Sequence, residues 1–147
     1  MGLFDFARNI GKKLFGKEEE APAAIKQHIE EDNPGVSNLQ VQVKDGVATL
    51  TGQAQSAEAL EKAVLMTGNA LGIDKVQADQ MSIADGSKVG GDDEFYVIQK
   101  GDTLWKIAEK AYGDGSKYNS IVEVNREVIR DPNKIFPGQK IRIPKSL

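Results

Sequence analysis

Few side chains in this sequence have the types and spacing that catalysis requires. Cysteine is absent, which excludes disulfides, thiolate nucleophiles and sulfur-ligated metals. The single histidine, His28, has no partner motif and cannot build a multi-histidine site, so we expect it on a helix surface. The acidic cluster 92–94 lies in a glycine-rich stretch and is typical of a solvated charge run. No nucleophile stands beside a base, so the sequence predicts a binding protein and not an enzyme.

The residues best suited to bind a ligand lie between Phe95 and Ala108. This segment has the pattern of a strand, a glycine turn, an N-cap and a helix, with Asp102 or Thr103 as the capping residue. A second helix is predicted to start at Ser116, and a last strand covers residues 140–144. The predicted order of elements is βααβ.

The segment resembles a LysM domain over its whole length. The resemblance rests on Tyr96-Val-Ile-Gln-Lys-Gly-Asp-Thr-Leu-Trp-Lys-Ile-Ala108, Ile135-Phe-Pro-Gly-Gln139 and Ile143-Pro144. LysM domains usually bind glycans that contain N-acetylglucosamine, in a shallow groove between two loops. The resemblance implies groove walls formed by Gly101, Asp102, Thr103, Leu104 and Trp105 on one side and by Ile135, Phe136 and Pro137 on the other.

These residues also have a purely structural interpretation. Gly101 suits a turn, Asp102 or Thr103 suits a helix cap, and Leu104 suits a core position, whether or not a glycan binds. Glycan binding is therefore one hypothesis for this part of the chain, and a structural role is the other.

Residues 21–84 alternate between helical and strand patterns. Alternating runs on both sides of Asp45-Gly46 predict a hairpin, and Ser56 is placed as the N-cap of the helix that follows. We expect that helix to fray around Gly68 and to stop by Gly72. The predicted order is αββαβ, with a first helix from about Pro22 to Asn33 and a single last strand through Val76, Ala78, Gln80 and Ser82.

This region resembles a BON domain. The resemblance rests on the order of elements, on Val47-Ala-Thr-Leu-Thr-Gly52 and on Gly72-Ile-Asp-Lys-Val76. BON domains are small α/β binding modules with suggested roles at phospholipid surfaces, and the resemblance implies no catalytic residues. The whole chain is thus expected to be an α+β protein with two small domains.

The N-terminal segment has apolar residues at helical spacing. An amphipathic helix with this pattern can lie on an anionic membrane surface or dock on its own protein, and the second alternative is favoured. The predicted domain plan is an N-terminal helix at 1–20, a BON-like domain at 21–84, a linker at 85–94 and a LysM domain at 95–147. The apolar positions of the helix are Leu3, Phe6, Ala7, Ile10 and Leu14.

Composition narrows the classes of partner. The 147 residues carry a net charge of −3, which provides no basic field for nucleic acid. No apolar run approaches the roughly 18 residues of a transmembrane helix, and the N-terminus lacks the order of a secretory signal. We expect a cytoplasmic monomer.

The combined arrangement resembles a family of bacterial potassium-binding proteins. The resemblance spans the opening Met1-Gly-Leu-Phe-Asp-Phe6, the BON-like unit, the linker and the LysM-like unit. It implies a cytoplasmic K⁺ sensor whose two domains draw together when the ion binds. K⁺ is therefore the expected bound ion.

Backbone carbonyls are the expected ligands of this ion. K⁺ is large and singly charged, and neutral carbonyl oxygens select it better than carboxylates. Helix C-termini offer such carbonyls at the negative end of the helix dipole, and one end is predicted before Gly11 and another at residues 67–73. The predicted ligands are the carbonyls of Ala7, Ile10, Gly68, Ala70, Gly72 and Ile73.

Overall fold

The protein folds into two compact units, Met1–Gly91 and Asp92–Leu147. The computed structural model describes residues 4–6, 13–87, 94–126, 128–129 and 131–144. Both units contain helices and strands, so the predicted α+β class is confirmed. No helix within these described ranges is long and apolar enough to cross a membrane.

The first unit packs two helices against a four-stranded sheet. Strands β1 and β2 are antiparallel, while β3 and β4 both run parallel to β2. The core side chains include Ile25 and Ile29 from the first helix and Leu50 from β2, all fully buried. The elements are a short 3₁₀ helix Glu18–Glu20, α1 Ala21–Glu31, β1 Val36–Lys44, β2 Val47–Ala54, α2 Ala57–Gly68, β3 Lys75–Gln77 and β4 Met81–Ile83.

Local signals account for the hairpin and for the start of α2. Asp45 and Gly46 have φ angles of 52° and 79°, the pair of positive values that a tight hairpin turn requires. The Ser56 hydroxyl accepts a hydrogen bond from Ala59 N at 3.1 Å, which makes Ser56 the N-cap as predicted. The helix ends at Gly68.

The single last strand predicted for this unit was wrong, because the chain forms two short strands there. Lys75 pairs with Val47 and Met81 pairs with Gly52. The chain thus advances six residues while β2 advances five, and the extra residue cannot stay in the sheet. It is absorbed in a turn that a bond from Met81 N to Ala78 O closes at 3.1 Å.

The predicted N-terminal helix is wrong at Phe4–Phe6, because this segment pairs with β3 and is not helical. Asp5 forms an antiparallel bridge with Lys75, Phe6 N donates to Asp74 O, and Val76 N donates to Phe4 O. Main-chain pairing with the sheet satisfies these polar groups in place of a helical turn. Residues 7–12, the middle of the predicted helix, lie outside the described part of the chain.

The second unit has the predicted βααβ order. Its two strands are antiparallel, with Glu94 opposite Ile143 and Val97 opposite Lys140. Its core is rich in isoleucine and includes Ile107, Ile121 and Ile141. The elements are β5 Glu94–Val97, α3 Leu104–Tyr112, a short 3₁₀ helix Gly115–Lys117, α4 Tyr118–Val124 and β6 Lys140–Ile143.

The first residues of the predicted linker are bound to the first unit. Ser87 Oγ accepts a bond from Ala57 N, at the start of α2, and donates one to an Asp85 carboxylate oxygen. At the other end Glu94 already belongs to β5. Between these two ends, residues 88–93 lie outside the described ranges.

Candidate functional site

The turn between α2 and β3 holds four of the six carbonyls predicted to bind an ion. Gly68 is the last residue of α2, and Ala70, Gly72 and Ile73 follow in the turn. Ala70 and Ile73 are buried, with 1% and 0% of their surface exposed. The other two predicted ligands, Ala7 and Ile10, lie outside the described residues and remain predictions.

The hydrogen bonds within the described part of this turn involve only some of its carbonyls. Ala70 N donates to Thr67 O at 3.2 Å, and Ile73 N donates to Ala70 O at a long 3.3 Å. Among the described residues, none donates a backbone hydrogen bond to the carbonyls of Gly68, Gly72 or Ile73. Neutral carbonyl oxygens of this kind are donor atoms that a large, weakly Lewis-acidic cation can use.

Gly72 allows this turn to form. Its φ of +103° lies in the region that residues with a side chain rarely adopt. Asp74 N and Lys75 N both point to Gly46 O, at 2.9 and 3.4 Å, and this ties the end of the turn to the β1–β2 hairpin. The turn is therefore held at its far end by the sheet.

A groove in the second unit is the other candidate site. Its volume is about 570 Å³, and it lies between the start of α3 and the loop that precedes β6. Of the residues predicted to form its walls, Asp102, Thr103, Leu104, Trp105 and Ile135 line this groove. Gly101, Phe136 and Pro137 are not among its lining residues; Gly101, with a φ of +89°, forms the turn that leads to it.

Aromatic side chains form one wall of the groove. Trp105 is 50% exposed, and its ring centroid lies 6.2 Å from that of Tyr118 at an interplanar angle of 46°. The Trp105 indole lies over Gly115, where a Cβ atom would come within 2.2 Å of Cε2. Sequence reasoning did not place this glycine beside the indole.

Sequence reasoning also missed four residues that line the groove. Tyr118 and Asn119 come from the start of α4, and Pro132 and Asn133 come from the loop that precedes β6. The missed residues are Tyr118, Asn119, Pro132 and Asn133.

Asp102 is fixed at the groove by hydrogen bonds from its own loop. The Tyr96 hydroxyl donates to its carboxylate at 2.5 Å, and Gln99 N donates to the same oxygen at 2.8 Å. The Tyr96 bond holds the pKa of Asp102 below its ordinary value and raises the pKa of Tyr96 to about 12. Thr103, not Asp102, is the N-cap, and its hydroxyl accepts a bond from Lys106 N.

Two family models match the chain in the order that the fold shows. The BON domain model matches residues 17–85, and the LysM domain model matches residues 96–144. Over its whole length the chain is similar to the potassium binding protein Kbp of Escherichia coli O6:H1. The two are 36% identical over 153 residues, which cover 99% of each chain. This chain belongs to the Kbp family. The predicted resemblances to BON, LysM and potassium-binding proteins are thereby confirmed.

Other relatives share only a part of this Kbp-family chain. The LysM domain-containing GPI-anchored protein 2 of Arabidopsis thaliana is 43% identical over 63 residues, or 43% of this chain and 17% of its own. The SpoIVD-associated factor A of Bacillus subtilis is 39% identical over 51 residues, or 35% of this chain and 12% of its own. BON and LysM domains are binding modules, not enzyme families.

The BON part of this Kbp-family chain also has an apolar groove of about 560 Å³. Leu60 of α2 and the strand residues Val76 and Met81 are among its lining, together with Phe4 of the N-terminal segment. Sequence reasoning did not identify it, because the groove is created where Phe4 lies beside β3. The groove is separate from the turn at residues 68–73.

Proposed function

We propose that this protein binds K⁺ through backbone carbonyls of the turn Gly68–Ile73. The observation that carries the proposal is the group of carbonyls, at Gly68, Gly72 and Ile73, that accept no backbone hydrogen bond from any described residue. The similarity to a protein named potassium binding protein Kbp, over 99% of both chains, supports K⁺ as the cation.

The chemistry of the turn suits K⁺ better than a divalent ion. Neutral carbonyl oxygens can replace the hydration shell of a large monovalent cation. Mg²⁺ gives up its water reluctantly, and Ca²⁺ sites usually include carboxylates. Ala7 and Ile10 complete the proposed ligand set, and Phe6, which directly precedes Ala7, already contacts this turn at Gly68.

The proposed role of binding is to sense K⁺ in the cytoplasm. A ligand shifts a conformational equilibrium only by its difference in affinity for the two states. If carbonyls from separate segments share one ion, binding favours the arrangement that brings them together. We propose that this draws the BON and LysM domains of a monomer closer, with no catalysis and no nucleic-acid partner.

A titration with KCl tests this function, with NaCl at equal ionic strength as the control. We expect K⁺ to shift the amide NMR signals of residues 66–75 and to reduce the radius of gyration measured by X-ray scattering. Gly72→Val should weaken binding, since a β-branched residue is strained at a φ of +103°. His28→Ala, on α1, should bind as the wild type does. Identical responses to KCl and NaCl would refute the proposal.

The groove at Trp105 supports a second candidate function, the binding of N-acetylglucosamine oligomers. Its exposed indole and the neighbouring Tyr118 ring offer apolar faces to a sugar, and Asp102 and Asn133 offer polar groups beside them. Chitin oligomers should then change Trp105 fluorescence and shift the amide signals of residues 101–105 and 134–138. Unchanged signals at millimolar oligomer would exclude glycan binding.

A further inference from the structure

Two phenyl rings from the N-terminal segment lie against the two glycines of the ion-binding turn. A Cβ atom placed on Gly68 would lie 2.1, 2.2 and 2.3 Å from Cε2, Cζ and Cδ2 of Phe6. A Cβ atom placed on Gly72 would lie 3.1 Å from Cζ of Phe15. The Phe6 ring thus occupies the space that a side chain at Gly68 would fill, and the Phe15 ring would be in tight contact with one at Gly72.

The Phe6 ring is fixed in place by the backbone that carries it. Phe6 N donates to Asp74 O at 3.0 Å, and Val76 N donates to Phe4 O at 2.9 Å. Only 9% of the Phe6 surface is exposed. The same short segment therefore contacts the turn at both ends, through its ring at Gly68 and through its main chain at Asp74.

This arrangement limits how far the carbonyls between Gly68 and Ile73 can move. The ring blocks one face of the turn at its start, and the strand-like bonds to Asp74 prevent its end from shifting. Phe15, which is half buried, covers the turn at Gly72. The apolar rings at these two points also form no hydrogen bonds that would hold water there. Such water would compete with the ion for the carbonyl oxygens.

We propose that Phe6 and Phe15 are positioning residues that set the K⁺ affinity and the preference for K⁺ over Na⁺ of this turn. The inference rests on the proposed K⁺ function. A carbonyl cage that can contract coordinates the smaller Na⁺ as well, whereas one held at a fixed size favours the larger ion. The two rings supply that restraint from outside the set of ligands.

Calorimetric titration of the full chain with KCl and with NaCl, at equal ionic strength, tests the inference. The variants are Phe6→Leu and Phe15→Leu, and the matched control is Phe95→Leu, a half-buried phenylalanine in the second unit. Substitutions around metal ligands typically weaken binding 10- to 100-fold, so we expect about a tenfold loss of K⁺ affinity in Phe6→Leu. The ratio of K⁺ to Na⁺ affinity should fall in both variants and stay unchanged in the control.

The outcomes separate the inference from the function on which it rests. A wild-type chain that does not bind K⁺ would refute the proposed function and this inference with it. Wild-type binding, with the affinity ratio unchanged in both variants, would overturn the positioning role alone. A purely stabilising role would lower the melting temperature and leave the ratio as it is. Should Phe6→Leu fail to fold, the ratio measured for the less buried Phe15→Leu decides.

Discussion

The contact between Gly68 and Phe6 predicts that Gly68→Ala destabilises the first unit. Gly68 has no positive φ and is the last residue of a helix, where alanine would ordinarily stabilise by roughly 0.5–1 kcal/mol. The new methyl group would, however, lie 2.1 Å from Cε2 of Phe6. Carbon atoms pack at about 3.5–4.0 Å, so the ring must retreat by roughly 1.4 Å or more.

The expected magnitude follows from these opposed effects. Phe6 cannot retreat freely, because its own N–H is bonded to Asp74 O. Overpacking of this kind costs about 1–3 kcal/mol, which exceeds the helical gain. We expect a net loss of about 1–2 kcal/mol in the free energy of unfolding of the first unit. Gly16→Ala is the matched control: its φ is also not positive, and its Cβ would meet only the flexible Glu20 carboxylate, at 3.3 Å.

Urea denaturation followed by amide NMR signals of each unit measures the effect. The signals of the second unit should keep their midpoint and serve as an internal reference. In a Phe6→Ala background the clash is absent, so Gly68→Ala should become neutral or stabilising there. The coupling between the two substitutions should then reach about 1–3 kcal/mol. A stabilising Gly68→Ala in the wild-type background, or additive effects of the two changes, would show that the ring does not restrict this position.

Three further predictions concern the second unit, where urea denaturation can be followed by Trp105 fluorescence. Asn125→Ala should lower the free energy of unfolding by about 2–4 kcal/mol, because the buried Asn125 amide accepts a hydrogen bond from Arg142 N and donates one to Arg142 O. The control Asn119→Ala, at an exposed position, should change the free energy of unfolding little. Equal effects of the two substitutions would contradict this prediction. Thr103→Ala should lower the free energy of unfolding by about 1 kcal/mol, because α3 loses its N-cap hydrogen bond. Thr103→Ser, which keeps a hydroxyl, should retain most of this stability. Tyr96→Phe should remove a pH-dependent part of stability. Since Tyr96 lowers the pKa of Asp102, its contribution is present above the ordinary aspartate pKa and is lost as pH falls through the lower, folded value. The difference between wild type and Tyr96→Phe should therefore shrink in acid, and a pH-independent difference would argue against the hydrogen bond.

The sequence alone determined the elements whose signals are local. Asp45-Gly46 supplies the two positive φ angles of a hairpin, and Ser56 supplies a hydroxyl within reach of Ala59 N. The hairpin and the cap depend on residues within a few positions of one another, so the spacing of residue types is enough to find them. One wall of the groove was instead implied by the resemblance of the motif around Gly101–Leu104 to LysM domains.

Tertiary structure decided the features that depend on distant parts of the chain. Phe6 fits a helical stripe by its spacing, but hydrogen bonds with residues 74–76 hold it in an extended conformation. The split between β3 and β4 comes from register against β2, which no periodicity within 75–83 records. The sequence predicts an ordinary helix end at Gly68, but the Phe6 ring, 62 positions earlier in the chain, occupies the space beside it. Side-chain size at such a position is set by the element packed against it, and that element is known only once the chain has folded.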